Sequence, residues 1–75
     1  MASEDTRIRV LLAVVEIYER RRFGPTYTEI LEVTGIGSKQ TLHAALHRLR
    51  ADGFVSFEDG VRGSLRPLVT LIPLR

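Results

Sequence analysis

No cysteine occurs among the 75 residues, which excludes disulfides and cysteine-ligated metals as sources of stability and fits a reducing compartment. Long apolar runs are missing too. None approaches the roughly 18 residues a membrane span requires, and the start MASEDTRIR has no apolar stretch behind a basic one, so neither an anchor nor a secretory leader is expected. The chain is expected to be soluble and cytoplasmic, with no membrane contact. Lysine is nearly absent, since Lys39 alone breaks the run of arginines among 11 cations. The net charge is only +2 with a pI near 9.7, which favours an anionic partner if the cations cluster. At this length one domain over residues 1–75 is expected, burying roughly 60% of its unfolded surface. Residues 1–4 read as frayed and residues 66–75 as an apolar tail.

Catalytic signatures are also lacking. There is no phosphate-cradling loop, nucleophile elbow or pair of catalytic carboxylates, and Gly35-x-Gly37 has no preceding strand to make it a dinucleotide fingerprint. The reading is therefore no enzyme and no cofactor. His43 and His47 stand at i, i+4, but without cysteine, an intervening base or a third ligand they read as polar contact residues and not as a metal pair.

What is present is helix punctuation. A first helix is expected from Asp5 or Thr6, either of which can cap it, to about Arg22. Ile8, Leu11, Leu12, Val15 and Tyr18 line one face of it, with Val10, Val14 and Ile17 widening the apolar sector. Phe23-Gly24-Pro25 breaks that helix. Thr26-Tyr27-Thr28-Glu29 matches a capping box, so a second helix is expected over residues 27–33, offering Ile30, Leu31 and Val33 to the core. Gly35 suits a left-handed helix stop, Ile36 an apolar plug and Ser38 an N-cap. A third helix should run from residue 39 to about 52, ended by Gly53. Leu42, Ala45, Leu46 and Leu49 form its buried seam at i, i+3, i+4, i+7. Residues 54–57 then have strand propensity, Asp59-Gly60 is a hairpin turn signal, and residues 61–65 are expected to return antiparallel. Pro67 and Pro73 restrict the tail to edge positions.

Helix, short helix, tight turn, helix and hairpin in that order is the grammar of a winged helix-turn-helix fold, mainly α with a small β-hairpin. In that arrangement the third helix enters the major groove of duplex DNA. Its face opposite the seam carries neither apolar groups nor a solvated Glu/Lys lattice. It offers Ser38, Gln40, Thr41, His43, Ala44 and His47 as base readers, Gln40 being able to bond adenine bidentately and Thr41 and Ala44 suiting a thymine methyl. Backbone contacts are assigned to Tyr27, Thr28, Lys39, Arg48, Arg62 and Arg66. Tyr27 packs under the third helix or bonds a phosphate, and Arg20-Arg21-Arg22 is a phosphate clamp or a favourable basic last turn; both pairs of alternatives stand.

The segment FGPTYTEILEVTGIGSKQTLHAALHRLRADGFVSFEDGVRGSLRPL also resembles the N-terminal DNA-binding domain of LexA repressors. Pro25, Thr26, Glu29, Ile30, Gly35, Ser38, Leu46, Leu49, Gly53 and Gly60 occupy the family's pattern without a gap, over roughly residues 8–68. The resemblance implies operator binding through Ser38, Gln40, Thr41, His43 and Ala44. The family's acidic pair in that helix is replaced by His43-Ala44, so its operator does not carry over, and Arg62-Gly63 falls one position early in the wing. The chain stops where the family's linker and autoproteolytic domain would begin, so no self-cleavage is expected.

The competing reading is a winged-helix module that binds another protein. Surplus apolar surface raises a further expectation: Val10, Val14 and Ile17 of the first helix and residues 68–72 cover each other within one chain or between two, and the expectation taken is a homodimer through these surfaces that sets two half-sites about 34 Å apart on DNA.

Overall fold

Helix α1 spans Glu4–Arg21 and starts ahead of both caps proposed for it, Asp5 and Thr6. Ser3 does the capping: its hydroxyl accepts from the Thr6 N–H at 3.2 Å and its carbonyl from the Arg7 N–H at 3.0 Å. Ser3 and Glu4 thus belong to the helix start, and residues 1 and 2 of the segment read as frayed lie outside the described residues. The structure, a computed structural model, describes residues 3–21 and 23–68. Arg22 and the tail segment 69–75 lie outside the described residues.

The buried stripe of α1 is Val10, Ala13, Val14 and Ile17, with Val15 beside it, whereas Ile8 and Leu12 are 49% and 45% exposed. The two apolar sectors of this helix therefore exchange the ranks expected of them. Each has helical spacing, so periodicity cannot choose between them; the choice falls to where the other helices land. A consequence is that Val10, Val14 and Ile17 are occupied by the core and cannot form the surface of a dimer.

Helix α2 (Tyr27–Thr34) opens with the expected capping box. The Glu29 N–H donates to Thr26 Oγ1 at 3.2 Å, and the Thr26 N–H donates to Glu29 Oε1 at 2.9 Å. The other Glu29 oxygen pairs with Arg21, tying the end of α1 to the start of α2. The Arg21 guanidinium first, and the Thr26 backbone N–H second, hold the Glu29 carboxyl below its ordinary value. Gly35 stops the helix at φ 75°, its N–H donating to the Leu31 carbonyl at 2.9 Å. Of the three side chains offered to the core, Ile30 is buried and Leu31 half-buried, but Val33 is 54% exposed. Ile36 plugs the turn against the core.

Helix α3 (Lys39–Ala51) is capped by Ser38, whose hydroxyl accepts from the Thr41 N–H. All four seam residues, Leu42, Ala45, Leu46 and Leu49, are buried, and they meet Val10, Val14 and Ile17 of α1 and Ile30 of α2 in one cluster. No polar side chain is buried among the described residues.

The wing departs from the hairpin expected. Strand β1 (Val55–Ser56) pairs antiparallel with β2 (Arg66–Pro67) in the register Val55↔Pro67 and Ser56↔Arg66, so residues 61–65 are loop and Pro67 is in the ladder. Two successive turns replace a single tight one. The Val61 N–H bonds the Glu58 carbonyl and the Ser64 N–H the Val61 carbonyl, with Gly60 and Gly63 at φ 76° and 80° at the third position of each turn. Ser64 Oγ accepts from the Glu58 N–H and so closes the loop on itself. Gly24 explains where this loop rests: a Cβ there would stand 2.5 Å from the Gly63 carbonyl oxygen and 2.6 Å from that of Leu65. The wing lies directly on the α1–α2 connection. Three helices and a two-stranded antiparallel ladder in this order fit a winged-helix-like fold.

Candidate functional site

An open groove of about 650 Å³ separates α3 and the start of α2 from the wing loop. Tyr27, Thr28, His43, His47 and Arg62 all line it. These are the residues the structure brings together out of those singled out in the sequence. Ser38, Lys39 and Gln40 are exposed around the first turn of α3, beside the groove and not in it, and Thr41 and Ala44 are half-buried. The first turn of α3 contains no acid, in contrast to α1 and α2, so the positive end of its peptide dipoles is left unneutralised. Arg48 is exposed and paired with Asp52 at 3.1 Å. Arg66 lines a separate cavity with Tyr18 and Phe23 and does not join the others.

Within the groove the side chains form a chain of contacts. The Tyr27 hydroxyl lies 3.1 Å from His43 Nδ1. The His43 and His47 rings follow one helical turn apart, centroids 4.1 Å from each other, and His47 meets the edge of Phe57 at 5.4 Å. Arg50 closes the chain, with its guanidinium 4.3 Å over the Phe57 ring, one nitrogen 3.2 Å from His47 Nδ1 and another donating to the Phe57 carbonyl at 3.2 Å. Tyr27 therefore packs against α3 through its hydroxyl. Burial pushes its phenol above the ordinary pKa; the Asp59 carboxylate adds to this and Arg50 opposes it.

Arg50, Phe57 and Asp59 did not stand out in the sequence as members of this site. His43, His47 and Arg50 share one helical flank at i, i+4 and i+7, a signal that was available. Nothing local connects Tyr27 to His43, 16 residues on, or Asp59 to His47. Asp59 Oδ1 sits 3.8 Å from His47 Nε2 and 3.7 Å from Arg50. The first distance is too long for a hydrogen bond, and His47 Nε2 is enclosed without a partner among the described residues.

Charge is distributed unevenly. Residues 35–68 carry five cations (Lys39, Arg48, Arg50, Arg62, Arg66) against Asp52, Glu58 and Asp59, whereas residues 1–34 have one more acid than base. The α3–wing half is thus the positive one, although Asp59 draws down the field at the groove itself. Among the described residues no group of three His, Asp or Glu side chains is placed to hold a metal ion, and no helix is long and apolar enough to cross a membrane.

Fold and site together define a helix-turn-helix unit that presents a polar helix face beside a wing. Among known proteins, the chain is similar to the LexA repressor of Lactobacillus acidophilus, with 34% identity over 53 residues. That stretch is 71% of this chain and 26% of the repressor, so the chain spans about a quarter of its relative's length. No protein-family model matches the chain.

Proposed function

We propose that this chain is a DNA-binding unit of a transcription regulator, with α3 entering the major groove and the wing resting on the sugar-phosphate backbone. The observation that carries the reading is the exposed, acid-free N-terminal turn of α3, with Gln40 on its surface and Arg62 across the groove. The likeness to a repressor over most of the chain supports it. Gln40, His43 and Ala44 follow at i, i+3 and i+4 along the helix and would meet base edges, with His47 engaged by Arg50 and turned to the wing instead, while Lys39, Thr28 and Arg62 flank them for phosphate. No cofactor and no catalytic step belong to this reading.

Homodimerisation on DNA is retained as part of the proposal, with the surface moved to Ile8 and Leu12, the apolar side chains α1 leaves exposed. Sedimentation with and without a palindromic duplex tests it, and a species that stays monomeric in both removes it. Glu58 and Asp59 favour a second reading, a module that binds another protein, because carboxylates at the wing turn repel phosphate. Selection from a random duplex pool separates the two. The expected result is an enriched sequence whose binding weakens steeply with salt; absence of both enrichment and retardation at about 50 mM salt leaves the protein-binding module.

A further inference from the structure

The two imidazoles in the groove each have one ring nitrogen engaged by a group whose hydrogen-bonding role is chemically restricted. Arg50 can only donate, so the His47 Nδ1 it approaches at 3.2 Å must be the unprotonated nitrogen and the ring's proton must be on Nε2. Tyr27 can donate or accept, but imidazole nitrogen is a far better acceptor than a phenol oxygen. At 3.1 Å the favoured pairing is therefore phenol O–H to His43 Nδ1, which again leaves the proton on Nε2. Burial, which keeps the phenol protonated, acts in the same direction. The two rings differ in what Nε2 can reach. That of His47 is enclosed and faces the wing carboxylate of Asp59. His43 is exposed, and no group among the described residues bonds its Nε2.

We propose that Tyr27 is a specificity-determining positioning residue: by donating to His43 Nδ1 it holds the His43 ring as the Nε2–H tautomer, so that α3 presents a hydrogen-bond donor to one base edge. This rests on the DNA-binding reading above. A donor at that position is satisfied by guanine N7 or O6, adenine N7 or thymine O4. It is refused by cytosine, whose major-groove edge offers only the N4 amino donor. Were the tautomer reversed, Nε2 would accept, and cytosine would become a favourable partner. Tyr27 would thus act, from the neighbouring helix α2, on the reading of a base it does not touch. Arg50 plays the corresponding part for His47, whose donor is turned to the wing and not to DNA.

The test combines two readouts on the full chain. Long-range ¹H–¹⁵N correlation of histidine-labelled protein, recorded without DNA at about pH 8 where free imidazole is neutral, is expected to show both rings as Nε2–H tautomers. In Tyr27→Phe, which keeps the ring and removes the hydroxyl, His43 is expected to relax to a mixture while His47, held by Arg50, is unchanged; that selectivity is what a merely structural disturbance would not give. In duplex selection, wild type is expected to disfavour cytosine about 2- to 10-fold at one position, the worth of a single hydrogen bond. Tyr27→Phe should narrow that preference and His43→Ala should abolish it. An Nδ1–H tautomer at His43, a His43 spectrum unmoved by Tyr27→Phe, or an undiminished preference against cytosine in that variant overturns the proposal. A chain that binds no duplex overturns the DNA reading and the base contact with it, and the spectrum of the free protein then shows separately whether the tautomer argument held.

Discussion

Truncating Val14 and Leu12 to alanine, one at a time, tests which face of α1 is the inner one. Val14 is fully buried and Leu12 is 45% exposed, although the sequence pattern ranks them the other way. Val14→Ala removes two methyl-sized groups, about 1.6 kcal/mol of transfer free energy, and leaves a void in the buried core cluster worth about 1 kcal/mol more. The better helix propensity of alanine returns roughly 0.5 kcal/mol. The net expected loss is about 2 kcal/mol. Leu12→Ala removes three carbons, but about half their area is already in water and no enclosed void forms, so about 0.5–1 kcal/mol is expected. A chain of this length has a total stability of roughly 4–11 kcal/mol, which puts the Val14 variant about 8–16 °C lower in Tm. Urea unfolding followed by circular dichroism, with m unchanged, gives both numbers. A Leu12→Ala loss equal to or above that of Val14→Ala refutes the placement of α1.

Gly24→Ala should cost about 1–3 kcal/mol, because its Cβ would meet two backbone carbonyls of the wing that can move only together; a loss under about 0.5 kcal/mol would mean the wing does not rest on the α1–α2 connection. Glu29 has its folded pKa depressed, so its contribution to stability is present above the ordinary value of 4.5 and is lost as pH falls through the lower folded value. Urea midpoints between about pH 7 and 3 should therefore fall less steeply on the acid side in Glu29→Gln than in wild type, and identical acid limbs would remove the Arg21–Glu29–Thr26 linkage. Gln40→Ala should cost about 1–3 kcal/mol on the selected duplex while sparing non-specific binding; equal loss on every sequence argues against base reading. Arg62→Ala should weaken all duplexes alike and lower the salt slope by about 1, and an unchanged slope takes Arg62 out of the interface.

Helix limits and caps are decided within about four residues of chain, and there the amino-acid sequence by itself determined the outcome. Thr26 and Glu29 satisfy each other's backbone N–H, Gly35 supplies the left-handed stop, Ser38 caps α3, and the spacing of Leu42, Ala45, Leu46 and Leu49 leaves that helix one way to face inward. Where two apolar sectors compete on one helix, as on α1, periodicity is degenerate, and only packing against α2 and α3 decided that Val14 goes in and Leu12 stays out. The wing was undetermined for a related reason. Asp59-Gly60 is a real turn, but a second turn at Gly63, closed by Ser64 and seated on Gly24, moved the pairing on to Arg66 and Pro67, and the surface that receives the loop lies more than thirty residues away in the chain. The candidate site divides along the same line: the polar face of α3 is legible from its composition, whereas Tyr27 against His43 and Asp59 beside His47 exist only because tertiary packing brings α2 and the wing to that helix. Local hydrogen bonds are written in the order of the residues; contacts between distant segments depend on which surfaces bury most area together, and that is a property of the folded whole.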